Sequence, residues 1–276
     1  KRGVGKTVFL AGSYAELHSY SQQDFSHQLW FDCQDSEVQT KIDRILSYIA
    51  SKGKYPPSTM KIADFDFTMK SRSQRGFKEI AHFRWWDIPG EFCSFTNTNF
   101  QTMLWSSNGC CVFIDAFELV HNNAYLQQLA KDVFSQVKTL AYLISMNRVK
   151  YRFALILTKC DLLKLDSVMY QRLEEKLQPL TSYFDNTKVI YKTFYSEIPI
   201  VTSQDVSTLR AKGSAAALLW LVSELSKVYN PTLNFNVRNL FATDLKSSFA
   251  TQQELSDYLL HSLNNSVDQV PKVGKK

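Results

Sequence analysis

The sequence predicts a three-layer α/β fold, in which a mostly parallel β-sheet carries an antiparallel hairpin at its edge and helices cover its faces. Three observations predict it. Apolar runs of strand length, such as 153–157, alternate with longer segments whose apolar residues recur at helical spacing. Asp87 and Thr158 directly follow two such runs, as polar residues do at the edge where parallel strands end. An alternating segment at 62–69 leads back into a strand ending at Trp86, which predicts the hairpin.

The first half of the chain is predicted to run from helix to strand to helix before this hairpin. A helix is expected from about Gly5 to Leu17 and a strand at 28–33. The helix predicted at 36–51 has its apolar residues at helical spacing: they are Val38, Ile42, Ile45, Leu46 and Ile49. The hairpin turns at 74–76, where glycine favours a turn.

The second half is predicted to continue the alternation of strands and helices. A short apolar strand at 110–114 precedes a long helix with one apolar stripe, formed by Leu126, Leu129, Val133, Val137, Leu140 and Ile144. An amphipathic helix at 167–184, a strand at 197–201 and an apolar helix at 214–229 are expected to follow. We therefore expect one domain over residues 1–230. Residues 231–276 are interpreted as a linker or a C-terminal helical extension.

Size and composition exclude several classes of protein. The 276 residues are 45% hydrophobic and 21% charged, so they can bury a substantial core and lie outside the disordered range. The net charge of +6 suits a phosphate ligand, but no nucleic-acid-binding pattern accompanies it, and we expect no specific nucleic-acid partner. No apolar stretch approaches the roughly 20 residues of a membrane span. An integral membrane segment is therefore not expected.

The cysteines and histidines do not form recognisable motifs. The five cysteines are odd in number and include the adjacent Cys110 and Cys111, which is not the pattern of a disulfide framework. We interpret them as reduced thiols of a cytoplasmic protein. The five histidines lack metal-ligand spacing.

The chain begins with KRGVGKT at 1–7. Gly5, Lys6 and Thr7 are the last three letters of G-x-x-x-x-G-K-[ST], whose backbone N–H groups hold phosphates at the start of a helix. The first glycine of that motif would lie one residue before Lys1. The sequence therefore predicts an N-terminally incomplete chain that lacks the buried strand leading into the loop. The alternative is a helix start with a solvated lysine.

Asp87 and Gly90 form D-x-x-G directly after the strand that ends at Trp86. An aspartate at this position can hold the hydration shell of Mg²⁺. The glycine lets the backbone approach a terminal phosphate, to which its N–H group can donate a hydrogen bond. The alternative is an ordinary turn, since Asp, Pro and Gly are all turn residues.

Residues 158–161 form T-K-x-D after the apolar run 153–157. The Asp161 carboxylate can accept hydrogen bonds from N1–H and the 2-amino group of guanine, a donor pair that adenine lacks. The stem of Lys159 can pack along the ring. A charged strand end is the alternative interpretation.

The ordered set G-K-T, D-x-x-G and T-K-x-D resembles the P-loop GTPases of the translation-factor and Ras-like class over about residues 1–229. A narrower likeness, to prokaryotic double-GTPase domains, depends on the string WDIPGE at 86–91 and an enlarged first half. The resemblance implies a P-loop NTPase-type sheet and the ligands GTP or GDP and Mg²⁺. The nucleotide-binding residues that it implies are Gly3, Gly5, Lys6, Thr7, Gly90, Thr158, Lys159, Asp161 and Ser203. The implied magnesium ligands are Thr7, Thr59 and Asp87, and the implied catalytic residues are Lys6 and Glu91.

Thr59 and Ser203 correspond to two further family motifs that this sequence matches weakly. A threonine between the phosphate loop and D-x-x-G should bind Mg²⁺ and sense the terminal phosphate. Thr59 is our choice and Ser58 the alternative. After T-K-x-D the family has a Ser-Ala-Lys-like loop that touches the base, and we expect it at 201–203, ending at Ser203.

The residue after D-x-x-G bears on the reaction. Ras-like proteins have a glutamine there, whereas this chain has Glu91. A carboxylate can accept a proton from water but repels phosphate, so we expect slow GTP hydrolysis with Mg²⁺ by a regulatory switch. The switch would act on a protein effector or further domains. A hydrolysis-poor GTP-binding scaffold and a dynamin-like mechanochemical GTPase are the alternatives.

Overall fold

The computed structural model describes residues 3–23, 29–57, 60–73, 76–203 and 206–229. In this part of the chain the helices are α1 (Lys6–Gln23), α2 (Ser36–Lys52), α3 (Thr98–Ser106), α4 (Ala116–His121), α5 (Asn123–Leu129), α6 (Ser135–Met146), α7 (Ser167–Thr187) and α8 (Ser214–Tyr229). The strands are β1 (Leu29–Cys33), β2 (Ala63–Ser73), β3 (Gly76–Asp87), β4 (Gly109–Asp115), β5 (Arg152–Thr158), β6 (Ile190–Tyr195), β7 (Ile200–Ser203) and β8 (Val206–Leu209). Residues 231–276 and the domain boundary predicted at 230 lie outside the described residues.

The predicted hairpin is confirmed. Strands β2 and β3 pair antiparallel from Ala63↔Asp87 onward, and β1 pairs antiparallel with the other edge of β2. The alternation buries Phe65, Phe67 and Met69, because successive side chains of a strand point to opposite faces. One face of this sheet is therefore part of the core.

The predicted parallel sheet is formed by β4, β5 and β6 in that order. Strand β5 is buried along its whole length. Its residues Phe153, Leu155 and Leu157 pack among α4–α7, whereas Ala154 and Ile156 pack with α1 and α8. Helices therefore cover both faces of this sheet, and the mixed α/β fold is confirmed.

Helix α1 packs across the two sheets. The ring of Phe9, which is fully buried, lies 6.1 Å from the ring of Trp85 in β3 and 5.1 Å from that of Phe113 in β4. The first turn of α1 therefore lies near the ends of both strands.

Glu16 joins the middle of α1 to the start of α8. Its buried carboxylate accepts hydrogen bonds from the N–H groups of Gly213 and Ala215 and from the Ser214 hydroxyl group. A carboxylate suits the N-terminus of a helix, because the first N–H groups there have no partner within the helix and carry partial positive charge.

Two predicted elements are wrong in detail. The long helix predicted after β4 is present over 123–146, as α5, a π-helical segment (Ala130–Phe134) and α6, but a separate short helix, α4, precedes it. The break follows from Asn122, which ends α4 and caps α5 by accepting a hydrogen bond from the Tyr125 N–H group. The last parallel strand is Ile190–Tyr195 rather than 197–201. Residues 200–203 instead pair antiparallel with β8.

Candidate functional site

The loop before α1 has the backbone that its glycines permit. Gly3 and Gly5 both have positive φ values, 74° and 93°, which residues with a Cβ atom rarely adopt. Val4 between them is buried. The carbonyl group of Gly5 accepts a hydrogen bond of 2.8 Å from the Phe9 N–H group. The loop therefore passes directly into the helix, with Lys6 as its first residue.

Thr7 and Asp87 are brought together. The Thr7 hydroxyl group donates a 2.5 Å hydrogen bond to Oδ2 of Asp87. Thr7 lies in the first turn of α1 and Asp87 is the last residue of β3. Asp87 is 1% exposed, so the Thr7 hydroxyl group contacts a buried carboxylate.

Gly90 and Glu91 form a turn after Asp87. The thiol of Cys93 reports the charges around this turn. Burial raises its pKa, the Lys6 ammonium group opposes that rise, and the carboxylates of Asp87 and Glu91 add to it. Lys6, Asp87, Gly90, Glu91 and Cys93 also line one cavity.

Thr158 ties a third strand end to the loop. Its hydroxyl group donates to the carbonyl oxygens of Val4, at 2.8 Å, and of Ile114, at 3.2 Å. Its side chain also lies near the Cα atom of Gly5, where an added Cβ atom would be 3.8 Å away. The loop is thus held between the ends of β3 and β5.

Lys159 has two restraints. Its backbone is left-handed, with φ 58° and ψ 32°, which is uncommon for a residue other than glycine. Its ammonium group lies 2.5 Å from Oδ2 of Asp115, the last residue of β4. The sequence analysis did not identify Asp115, because an aspartate before a helix is ordinarily explained as a cap.

The segment after β6 lies beside T-K-x-D. The N–H group of Cys160 donates to the Ser196 carbonyl group at 3.2 Å, and the Ser196 N–H group donates to the Leu157 carbonyl group at 2.8 Å. Ser203, the predicted base-loop residue, instead lies exposed at the end of β7. Ser196 was not among the predicted site residues, although it lies beside T-K-x-D directly after the strand 190–195.

Asp161 is exposed at the rim of the site. It lies near Tyr55, whose pKa is raised by burial and further by the Asp161 charge. The Tyr55 hydroxyl group donates a 2.8 Å hydrogen bond to the Ile198 carbonyl group. Thr59 and its alternative Ser58 lie outside the described residues, so their proposed magnesium role stays a prediction.

The structure brings the loop 3–7, the turn after β3 and the segment 158–161 to one end of the molecule. Among the described residues, no group of three or more His, Cys, Asp or Glu side chains is placed to hold a metal ion by itself. A cation here would take oxygen ligands from Thr7 and Asp87 and others from a bound phosphate or water, as Mg²⁺ does in phosphate sites.

Searches against protein-family models, curated proteins and solved structures gave no significant match. Within the described ranges, no helix is both long and apolar enough to cross a bilayer. The resemblance to P-loop GTPases therefore depends on the motifs alone.

Proposed function

We propose that the chain is a guanine-nucleotide-binding domain of the P-loop type, which hydrolyses GTP slowly with Mg²⁺ and acts as a regulatory switch. The observation that carries the proposal is the hydrogen bond between Thr7 and Asp87. It places the hydroxyl group of G-K-T against the carboxylate of D-x-x-G, two side chains that the motifs assign to one cation.

The donor set fits Mg²⁺. One carboxylate and one hydroxyl group leave most coordination positions for phosphate oxygens and water, which is how this ion is held beside phosphates. When bound, Mg²⁺ would neutralise charge on the β- and γ-phosphate oxygens. Asp87 and Thr7 would hold it at the end of β3. Thr59, or Ser58 in its place, is proposed as a further ligand.

The phosphates would lie over the start of α1. The N–H groups of the loop 3–7 and the helix N-terminus favour an anion there. Lys6 supplies a positive charge beside them. The Gly90 N–H group is proposed to contact the terminal phosphate.

The base would lie between the segments 158–161 and 196–198. Asp161 supplies the carboxylate that selects guanine, and Lys159 supplies an alkyl stem for the ring face. Backbone hydrogen bonds from Cys160 to Ser196 and from Ser196 to Leu157 hold these two segments together. Ser196 is therefore a better candidate than Ser203 for the loop that approaches the base.

We also propose that the two sheets belong to one P-loop-type sheet, joined by a strand that leads into the loop. A cavity of about 1330 Å³ separates β3 from β4, and Val4 and Lys6 line it together with residues of both strands. No pairing joins β3 to β4 in the described part of the chain. The buried indole N–H group of Trp85 has no partner there, so an added strand could satisfy exposed polar groups of both edges.

Hydrolysis requires little covalent chemistry from the protein, since most of the rate comes from positioning and from charge stabilisation. Lys6 would stabilise charge on the transferred group, and Glu91 would orient or deprotonate the attacking water. Because Glu91 is itself negative, it would also repel the phosphate, which is why slow turnover is proposed.

All five cysteines are free thiols, which supports a reducing, cytoplasmic location.

The second candidate function is a scaffold that holds GTP without useful hydrolysis. Glu91 favours it, because a carboxylate stands where Ras-like proteins have a glutamine and its negative charge would repel the terminal phosphate. Hydrolysis by the parent protein separates the two candidates.

The test is base selectivity. We expect the parent to bind GTP with Mg²⁺ far more tightly than ATP or XTP, and Asp161→Asn to lose GTP and gain XTP, because the asparagine amide is complementary to the 2-oxo group of xanthine. Equal affinity of the parent for GTP and ATP would contradict the proposal. Glu175→Gln, a change of an exposed carboxylate on α7 outside the segments proposed to hold the base, is the matched control and should leave the preference for GTP intact.

A further inference from the structure

The Asp115 side chain is only 6% exposed, and each of its two carboxylate oxygens has a polar partner. Oδ1 accepts a 3.1 Å hydrogen bond from the Glu118 N–H group, and Oδ2 lies 2.5 Å from the Lys159 ammonium group. A nearly buried carboxylate needs such partners, since burial without them is costly. Asp115 is thus bonded both to the start of α4 and to T-K-x-D.

The backbone of Asp115 is fixed as well. Asp115 and Thr158 are direct neighbours across the parallel strands β4 and β5. The N–H group of Asp115 donates a 3.0 Å hydrogen bond to the Tyr125 hydroxyl oxygen in a buried position. Its carboxylate therefore has a well-defined place at the edge where the candidate nucleotide site lies.

Lys159 is held at both ends. Its backbone adopts the left-handed conformation directly after Thr158, which is anchored to the Val4 carbonyl group. Its ammonium group rests on Asp115, while the side chain stays 40% exposed. The alkyl stem between these points is ordered and accessible at the rim, two residues before Asp161.

We propose that Asp115 is a positioning residue for nucleotide binding, which holds the Lys159 side chain in the place where its stem meets the purine ring. This inference rests on the proposed function. Ordering a long side chain at a binding site has an entropic cost that weakens binding. The contact with Asp115 orders the Lys159 side chain when the protein folds, so this ordering no longer opposes nucleotide binding.

The competing explanation is that Asp115 only caps α4. Asparagine is as good a cap as aspartate, but it has no charge with which to hold an ammonium group. The variant Asp115→Asn therefore keeps the capping role and removes the positioning role. Should this variant be unfolded by circular dichroism, Asp115→Ser serves instead, because serine also caps helices.

The experiment is a double-mutant cycle in GDP affinity with Mg²⁺, using the parent, Asp115→Asn, Lys159→Met and the double variant. Methionine keeps an apolar stem and removes the charge. We expect Asp115→Asn to weaken binding about 2- to 10-fold in the parent background, as the ordering cost predicts, and to have no effect when residue 159 is methionine. An equal loss in both backgrounds, or no loss in either, overturns the inference.

A second readout uses the nucleotide-free protein. Acetylation of Lys159 by acetic anhydride, which transfers an acetyl group to the amine and releases acetate, should be faster in Asp115→Asn than in the parent. Peptide mass spectrometry measures it, with the exposed Lys164 as the internal control. Unchanged Lys159 reactivity overturns the positioning contact. Failure of the parent to bind GDP removes the proposed function and this inference with it, whereas GDP binding with equal affinity in all four proteins overturns this inference alone.

Discussion

The Thr7 hydroxyl group donates its hydrogen bond to Asp87 although the two residues are 80 positions apart. The bond joins the first turn of α1 to the last residue of β3, and Asp87 is buried where it is made. A cation bound by these two oxygens would replace the hydrogen bond between them. It would lie between the start of α1 and the end of β3. The pair would therefore link binding of the proposed cation to the loop 3–7.

The first prediction concerns magnesium. Thr7→Ala should weaken GTP binding about 10- to 100-fold in Mg²⁺, since an interaction with a charged group is worth roughly 1.5–3 kcal/mol. In EDTA the variant and the parent should bind alike. Isothermal titration calorimetry under both conditions measures the difference. Thr7→Ser, which keeps the hydroxyl group, is the control. A similar loss for Thr7→Ala in EDTA would show that the hydroxyl group acts without the cation.

The second prediction concerns Glu91. Replacing it by glutamine would remove a negative charge near the proposed terminal phosphate while keeping a group that can orient water. We expect single-turnover GTP hydrolysis to become about tenfold faster, which corresponds to roughly 1.4 kcal/mol of activation free energy. Rapid-quench assays with labelled GTP measure it. Glu175→Gln, on an exposed part of α7, is the control. A rate for Glu91→Gln no higher than that of the parent argues against charge repulsion.

The sequence predicted those elements in which the pattern of apolar residues shows which side chains are buried. The alternation before Met69 defined the hairpin, and the uniformly apolar run ending at Leu157 defined the buried strand β5. The approach of Asp87 and Thr158 to one edge followed from the expected strand directions. These features depend on local pattern and on sheet geometry, which a single sequence contains.

The parts that were missed depend on context. Strand β6 is partly exposed, with Lys192 and Thr193 in its middle, so it has no apolar run and was displaced to 197–201. The base loop was expected at 201–203 for the same reason, whereas Ser196 is the position proposed for it, beside the end of β5. The pairing of Asp115 with Lys159 joins residues 44 positions apart on neighbouring strands, and no local pattern marks such a pair.

The third prediction concerns the gap between β3 and β4. Extending the chain before Lys1 by an apolar β-branched strand followed by the first glycine of the motif should fill the cavity. The strand would enter the loop at Val4 and run parallel to β4, because Val4 lies at the end where β5 terminates. We expect hydrogen exchange to slow at residues 109–113 and 81–85, and alkylation of Cys110, which lines the cavity, to slow as well.

An extension of the same length made of glycine and serine is the control for that experiment, since it cannot fill an apolar cavity. Equal protection by the two extensions would mean that the gap does not take a strand. The unfolding temperature gives an independent reading. Only the apolar extension should raise it, because burial of apolar surface contributes about 25 cal/mol per Å².

The fourth prediction concerns the start of α8. Gly213 has φ 78°, and a Cβ atom there would lie 2.4 Å from the Tyr195 carbonyl oxygen. Gly53 also has positive φ, 60°, but its added Cβ atom would meet only the Ser207 hydroxyl oxygen at 3.2 Å. Alanine at either site has the backbone strain of the left-handed region, about 1–2 kcal/mol. Only Gly213→Ala must also displace backbone at the end of β6.

We therefore expect Gly213→Ala to lower the free energy of unfolding by about 1–3 kcal/mol more than Gly53→Ala does, as overpacking against a fixed neighbour predicts. Urea unfolding followed by circular dichroism measures both. The shift at Gly213 should also loosen the hydrogen bonds that Glu16 accepts from Gly213 and Ala215, so the variant should lose its amide protection first at the start of α8. Equal destabilisation by the two alanines would contradict this prediction. It would mean that the close contact with the Tyr195 carbonyl oxygen does not destabilise the protein, and that glycine is needed at 213 only for its positive φ.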